Sequence, residues 1–170
     1  MQPVVILGGF LITDEAYGPM AEWLKAQGGI DVSVVHASRW DWLLTSSAWG
    51  WQRLLRRVDQ TVRQARSRCA GAPVTLIGHS SGGVMLRPYL SDDSFQGRRY
   101  GGAQHCNRLI TLGSPHQALR ATPLRAQVDR CFPGCPLANQ VDYVAVAGSL
   151  DLEGSNASAF SRRSAPGSYR

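Results

Sequence analysis

Five short runs along the chain are apolar nearly throughout: Val4–Leu7, Val32–His36, Val74–Ile77, Leu109–Leu112 and Tyr143–Ala147. Each is rich in β-branched residues or leucine and stops at Gly, Pro or a polar residue. A strand with one wet face alternates, whereas continuous apolar character marks strands covered on both faces, as in a parallel sheet. Between these runs the spacing turns helical. Tyr17, Met20, Trp23 and Leu24 recur at helical intervals, and Gly28-Gly29 closes that segment. Trp51, Leu54, Leu55, Val58, Val62 and Ala65 fall on one helical stripe with arginines between them, which predicts an amphipathic helix facing a core. A third helix is predicted to begin right after Ser80 and run to about Leu90. Strand–helix alternation requires right-handed crossovers, hence an α/β fold: a three-layer α/β/α sandwich with a parallel sheet of about five strands, order 2-1-3-4-5.

The connecting segments are less regular. Ser91–Asn107 is rich in Gly and Arg and reads as a surface loop. Gln117–Gln140, with three prolines, reads as irregular and lies where a cap over a pocket belongs. The tail from Gly154 is Ser/Gly/Arg-rich and aperiodic, and there is no internal repeat. A length of 170 residues suits one domain, residues 1–170. No apolar run reaches the roughly 20 residues needed to span a bilayer. No basic stretch precedes Val4–Ile12, so the expectation is a cytoplasmic chain without a signal peptide.

Charge narrows the classes further. The net charge is +6, from 18 basic and 12 acidic residues, and the basic groups are spread along the chain. Nucleic-acid binding would set a groove-reading helix or stacking aromatics beside the charge, and neither is present. The Arg53–Arg68 stripe reads instead as the solvated face of the long helix. The four cysteines are Cys69, Cys106, Cys131 and Cys135. Their spacing does not make the paired clusters of a zinc site, and they read as small, partly buried apolar residues, with no metal expected. Trp40, Trp42, Trp49 and Trp51 flank the exit of the second strand; core packing is the first expectation, with an acyl pocket or peripheral lipid contact as alternatives. The glycosylation pattern at Asn156 reads as chance in a cytoplasmic chain.

The chemistry concentrates in "VTLIGHSSGGV", Val74 to Val84. Gly78-His79-Ser80-Ser81-Gly82 is Gly-x-Ser-x-Gly directly after a buried strand and before a helix, the context of a nucleophile elbow. A tight, strained turn there projects the Ser80 hydroxyl from the sheet edge. Crowding at two residues on either side requires Gly78 and Gly82. Ser81 is the poorer nucleophile, because His79 would then fill the cramped minus-two position. The helix start favours nearby negative charge. In a 2-1-3-4-5 sheet, strands one and three are neighbours, and their carboxyl ends flank the topological switch point. The Gly8-Gly9-Phe10 turn therefore meets Ser80. Acyl transfer needs N–H donors about 3 Å from the developing oxyanion. The amides of Ser81 and Phe10 are the candidates.

Three stretches together, "VVILGGF", "LIGHSSGG" and "LITLGSPH", resemble the α/β-hydrolase superfamily, in its lipase/esterase-like branch. The resemblance in element order covers roughly residues 3 to 150, and "YVAVAG" fits the next strand of that fold. It implies serine-nucleophile hydrolysis of carboxylic, including lipid, esters through an acyl-enzyme on Ser80, without a cofactor. It also implies a chain order of Ser, acid, His. Of the four histidines, His36 and His79 precede Ser80 and His105 lies in the surface loop. His116 is the remaining candidate base, though one strand early, with a pocket-lining role as its alternative. Asp151 stands in the slot of the acid, with Glu153 beside it. No histidine follows Asp151, so the resemblance implies a chain lacking its C-terminal strand and histidine loop. Two other functions stay open: an acyltransferase or thioesterase on the same elbow, and a non-catalytic α/β-hydrolase-fold binding module. Substrate size and oligomeric state are not set by these residues.

Overall fold

The computed structural model describes residues 1–117 and 122–148. Within them five strands, β1 (Gln2–Leu7), β2 (Ile30–Val34), β3 (Val74–His79), β4 (Cys106–Leu112) and β5 (Asp142–Val146), form one sheet in the order β2-β1-β3-β4-β5. Every pairing is parallel. The helices are α1 (Gly18–Ala26), α2 (Arg39–Leu43), α3 (Ala48–Arg68), α4 (Ser81–Leu90) and α5 (Pro123–Cys131). The chain thus has the expected doubly wound topology, and β1 and β3 are neighbours with Leu7 in register with Gly78.

Parallel register puts Val5, Leu76 and Leu109 on one face and Ile6, Ile77 and Ile110 on the other. The first face packs against α3 and α4 in the main core, where Leu54, Leu55, Val58, Val62, Met85 and Leu86 are buried. The second packs against α1 through Tyr17 and Ala21. That second face opens toward β5. Ile110 and Leu112 are half-buried, while Val144 and Val146 are 44% and 51% exposed. The fifth strand is thus not covered on both faces by the described residues, contrary to its apolar sequence.

Other departures have local causes. Trp23 has helical spacing with the α1 core residues yet is exposed, because Ala21, one turn from Tyr17, takes the contact. The segment read as a surface loop drives Phe95 into the core, edge-on to Phe132 and beside Trp51. The segment read as irregular contains α5, capped by the Thr122 hydroxyl and opened by Pro123. Cys69 and Cys106 are buried as small apolar residues, but Cys131 and Cys135 are exposed.

Candidate active site

Ser80 sits between the last residue of β3 and the first of α4 with φ 50° and ψ −122°, a conformation that costs a non-glycine residue strain. Its amide is held by the Leu112 carbonyl at 2.9 Å, so β4 fixes the turn from the side. Its hydroxyl does not cap the helix. The glycines around it answer to particular neighbours. A Cβ at Gly78 would lie 2.4 Å from the Gly83 Cα, and one at Gly82 would lie 2.3 Å from the Gly8 carbonyl oxygen. The crowding at these positions therefore comes from the elbow helix and the end of β1, not from each other. A Cβ at Gly83 would strike the Ser114 hydroxyl at 2.1 Å, which brings the exit of β4 against the elbow.

The loop after β1 closes on the same point. A Cβ at Gly9 would lie 3.0 Å from both the Ser80 Cβ and the His79 ring. One side chain locks this approach. The Tyr17 hydroxyl accepts the Gly9 N–H at 2.8 Å and bonds His79 Nδ1 at 2.8 Å. With its oxygen occupied by the Gly9 amide, the hydroxyl proton points to Nδ1, which makes His79 the acceptor and places its own proton on Nε2. Burial pushes the His79 pKa down, which agrees with a neutral ring. His79 thus braces the loop and turns away from the hydroxyl. Gly9 being committed to Tyr17, the next amides at the junction are those of Phe10 and Ser81. Among the described residues neither has a protein acceptor.

Phe10 and Ser81 line one cavity of about 530 Å³, walled mainly by Trp42, Trp51, Val84 and Met85. Its polar members include Arg125, whose guanidinium also donates to the Pro115 carbonyl. A second cavity of about 640 Å³ lies along β4, β5 and α5, and His116 opens into that one. The His116 ring bonds the Thr111 hydroxyl at 3.2 Å. Burial, and then the positive charges of Arg87 and Arg125, push its pKa down. Arg87 ties the region together, donating to the carbonyls of Phe132 and His116 and pairing with Asp129. The remaining histidines are also engaged, His36 with Asp14 and His105 with Arg66. Among the described residues no histidine is hydrogen-bonded to Ser80. Asp151 and Glu153 lie outside the described residues, as does Asn156.

The family model described as palmitoyl protein thioesterase matches residues 3–151, most of the chain. The chain belongs to the palmitoyl protein thioesterase family. No curated protein matches it significantly. Among solved structures, the phospholipase PlaB from Legionella pneumophila is similar with a TM-score of 0.62 at 17% identity. That match covers 100% of this chain and 43% of the phospholipase, so the chain spans less than half of that protein. A cutinase-like protein from Cryptococcus sp. matches with a TM-score of 0.53 at 16% identity, over 98% of this chain and 88% of the other. An acetyl xylan esterase matches with a TM-score of 0.50 at 15% identity, over 95% and 89%. At such identities the structural likeness shows the α/β-hydrolase fold.

In this thioesterase-family chain, sequence reasoning missed Tyr17 as the brace of the glycine loop. Its spacing with Met20 and Leu24 marked it as core, which it also is, at 7% exposure. Nothing in the local pattern signals a hydroxyl that reaches 62 residues along the chain to His79. Arg87 was equally silent, since a lone arginine in an apolar helix gives no hint of three partners on two other elements.

Proposed function

We propose that the chain hydrolyses carboxylic thioesters or esters of apolar acyl groups, with Ser80 as nucleophile. The observation that carries this is the strained Ser80 turn beside an apolar cavity at the topological switch point. In the reaction Ser80 Oγ attacks the acyl carbonyl carbon and its proton passes to a general base. The tetrahedral oxyanion is held by the Phe10 and Ser81 amides. Collapse expels the thiolate or alkoxide, which takes that proton, and water then cleaves the acyl-serine by the same steps in reverse. The cavity's volume lies in the range of about 300–1,000 Å³ usual for small-molecule sites, and its indole, valine and methionine walls suit an alkyl chain. The family's name supports a thioester; the fold's neighbours support esters generally.

A fluorophosphonate probe is expected to label the wild-type chain and not Ser80→Ala. Labelling retained in Ser80→Ala would overturn the assignment. His116→Gln, run alongside, asks whether that ring takes the proton: loss of labelling assigns it the base.

A second reading is favoured by the partners of the four histidines, each bonded away from Ser80. In it the chain is an acyl-binding module that keeps the fold and the cavity without turnover. It predicts no probe labelling but saturable binding of a fluorescent fatty acyl ligand.

A further inference from the structure

The tryptophans expected in the core divide. Trp42 and Trp51 are buried, at 0% and 6%, whereas Trp40 and Trp49 are 77% and 51% exposed. The exposed pair is not isolated. Trp40, Leu43 and Leu44 follow each other at i, i+3 and i+4 and all face solvent, so the apolar stripe of this short helix points outward. Leu43 and Phe10 line the mouth of the cavity that holds Ser81, and the ring of Phe10 stands edge-on to Trp42 at 6.4 Å. The Leu44 backbone presses on Gly50, which carries Trp49 alongside. Next to Phe10, Leu11 is exposed at a positive φ of 62°, a strained conformation for a branched side chain.

This outward orientation is enforced. Inside α2, Asp41 is buried and accepts from Arg53, Arg57 and Ser38. The Trp42 indole donates inward to the Ile12 carbonyl, and the Trp51 indole to that of Thr45. Rolling α2 to bury Trp40 would expose a locked carboxylate and break the Trp42 indole bond. A chain that keeps six large apolar side chains exposed, two of them lining the cavity, has made a surface for a partner.

Charge identifies the partner. Along α3, Trp49, Arg53 and Arg56 share a face, with the Arg53 guanidinium 5.5 Å from the Trp49 ring centre. Arg39 is exposed at the start of α2. The one carboxylate within α2 is buried and paired, and the chain as a whole carries +6. Exposed indoles and leucines flanked by Arg39 and Arg56, with Arg53 and Arg57 engaged by Asp41, match an anionic lipid surface, where indoles settle at the headgroup level and cations meet lipid phosphate. We propose that the rim formed by Phe10, Leu11, Trp40, Leu43, Leu44 and Trp49 docks the chain on an anionic bilayer, with the cavity mouth facing the lipid. Docking of this kind does not depend on what Ser80 does. None of the helices described is long and apolar enough to cross a membrane.

The test is co-sedimentation with vesicles of phosphatidylcholine containing or lacking phosphatidylglycerol, with Ser80→Ala run in parallel. Binding is expected to need the anionic lipid, to fall with salt, and to be equal in Ser80→Ala. Trp40→Ala/Trp49→Ala, which touches neither the cavity lining nor the elbow, is expected to weaken binding at least tenfold. Its circular dichroism and Tm report whether it is folded. Arg39→Gln/Arg56→Gln is expected to lose the phosphatidylglycerol preference. Absence of vesicle binding, binding indifferent to both double variants, or a self-association dispersed by Trp40→Ala/Trp49→Ala would each overturn the proposal. A wild-type chain that binds vesicles but is not labelled by the fluorophosphonate probe would instead count against the hydrolase reading alone.

Discussion

At the scale of single residues the site is built from conflicts with local preference. Ser80 is a non-glycine residue at a φ of 50°, and the surrounding bonds, from Leu112 above all, hold it there. Such a residue costs about 1–3 kcal/mol, while glycine's greater freedom in the unfolded chain returns about 0.4–1 kcal/mol of that. Ser80→Gly is therefore expected to be more stable than Ser80→Ala by about 1 kcal/mol in urea unfolding. Equal midpoints would mean that the turn holds no strain. The elbow itself was legible in the sequence, because a serine between two glycines after an apolar run is a short-range signal. Tyr17 was not, because its role depends on a loop, a helix and a strand converging. The places of Asp151 and Glu153 fall beyond the described residues, so the sequence reading of the acid stands as an expectation.

At the scale of elements, α2 is the least foreseeable piece and one of the most constrained. It has five residues, too few for periodicity to be measured, and its apolar stripe faces water. The same blindness affected β5, whose sequence is as apolar as that of its neighbours although its side chains are largely exposed. Periodicity reports which positions are apolar; only the packing partner decides which are covered. By contrast β1, β3 and α3 were read in the right place, with ends two or three residues short, and α4 nearly to the residue, since both their pattern and their partners agree. The segment holding α5 was read as irregular; the helix is capped by Thr122 and opened by Pro123 but has a polar body that gives little periodicity. What fixes α2 is Asp41. Burial by itself would raise the pKa of this carboxyl, but hydrogen bonds from Arg57, Ser38 and Arg53 outweigh it and hold it far below the usual range. Asp41→Asn keeps the volume and removes the charge. Both arginines retain access to water, which discounts the pair, so a loss of about 2 kcal/mol is expected. Urea unfolding measures it, and a loss under about 0.5 kcal/mol would show the arginines re-solvating freely.

At the scale of the molecule, the two half-buried histidines at the carboxyl ends of β3 and β4 couple its stability to pH. Burial lowers the pKa of His79, and burial with the charges of Arg87 and Arg125 lowers that of His116. In the unfolded chain both rings take up a proton near pH 6.5. In the folded chain they resist it, so below that pH the unfolded state binds more protons and stability falls as pH falls. The contribution is complete above about pH 6.5 and is lost progressively until the folded rings themselves protonate. The lowered carboxylates, Asp14 and Asp41, act in the same direction but only below about pH 4, so the two windows separate. Protonating His79 also removes the acceptor of the Tyr17 hydroxyl, which loosens the loop carrying Phe10. Tm is therefore expected to decline from pH 7 to pH 5 and, in His79→Asn/His116→Asn, to decline much less over that interval while keeping the steep loss below pH 4. An unchanged slope between pH 7 and 5 in the double variant would place the linked protons on other groups and detach the acid response from this edge of the sheet.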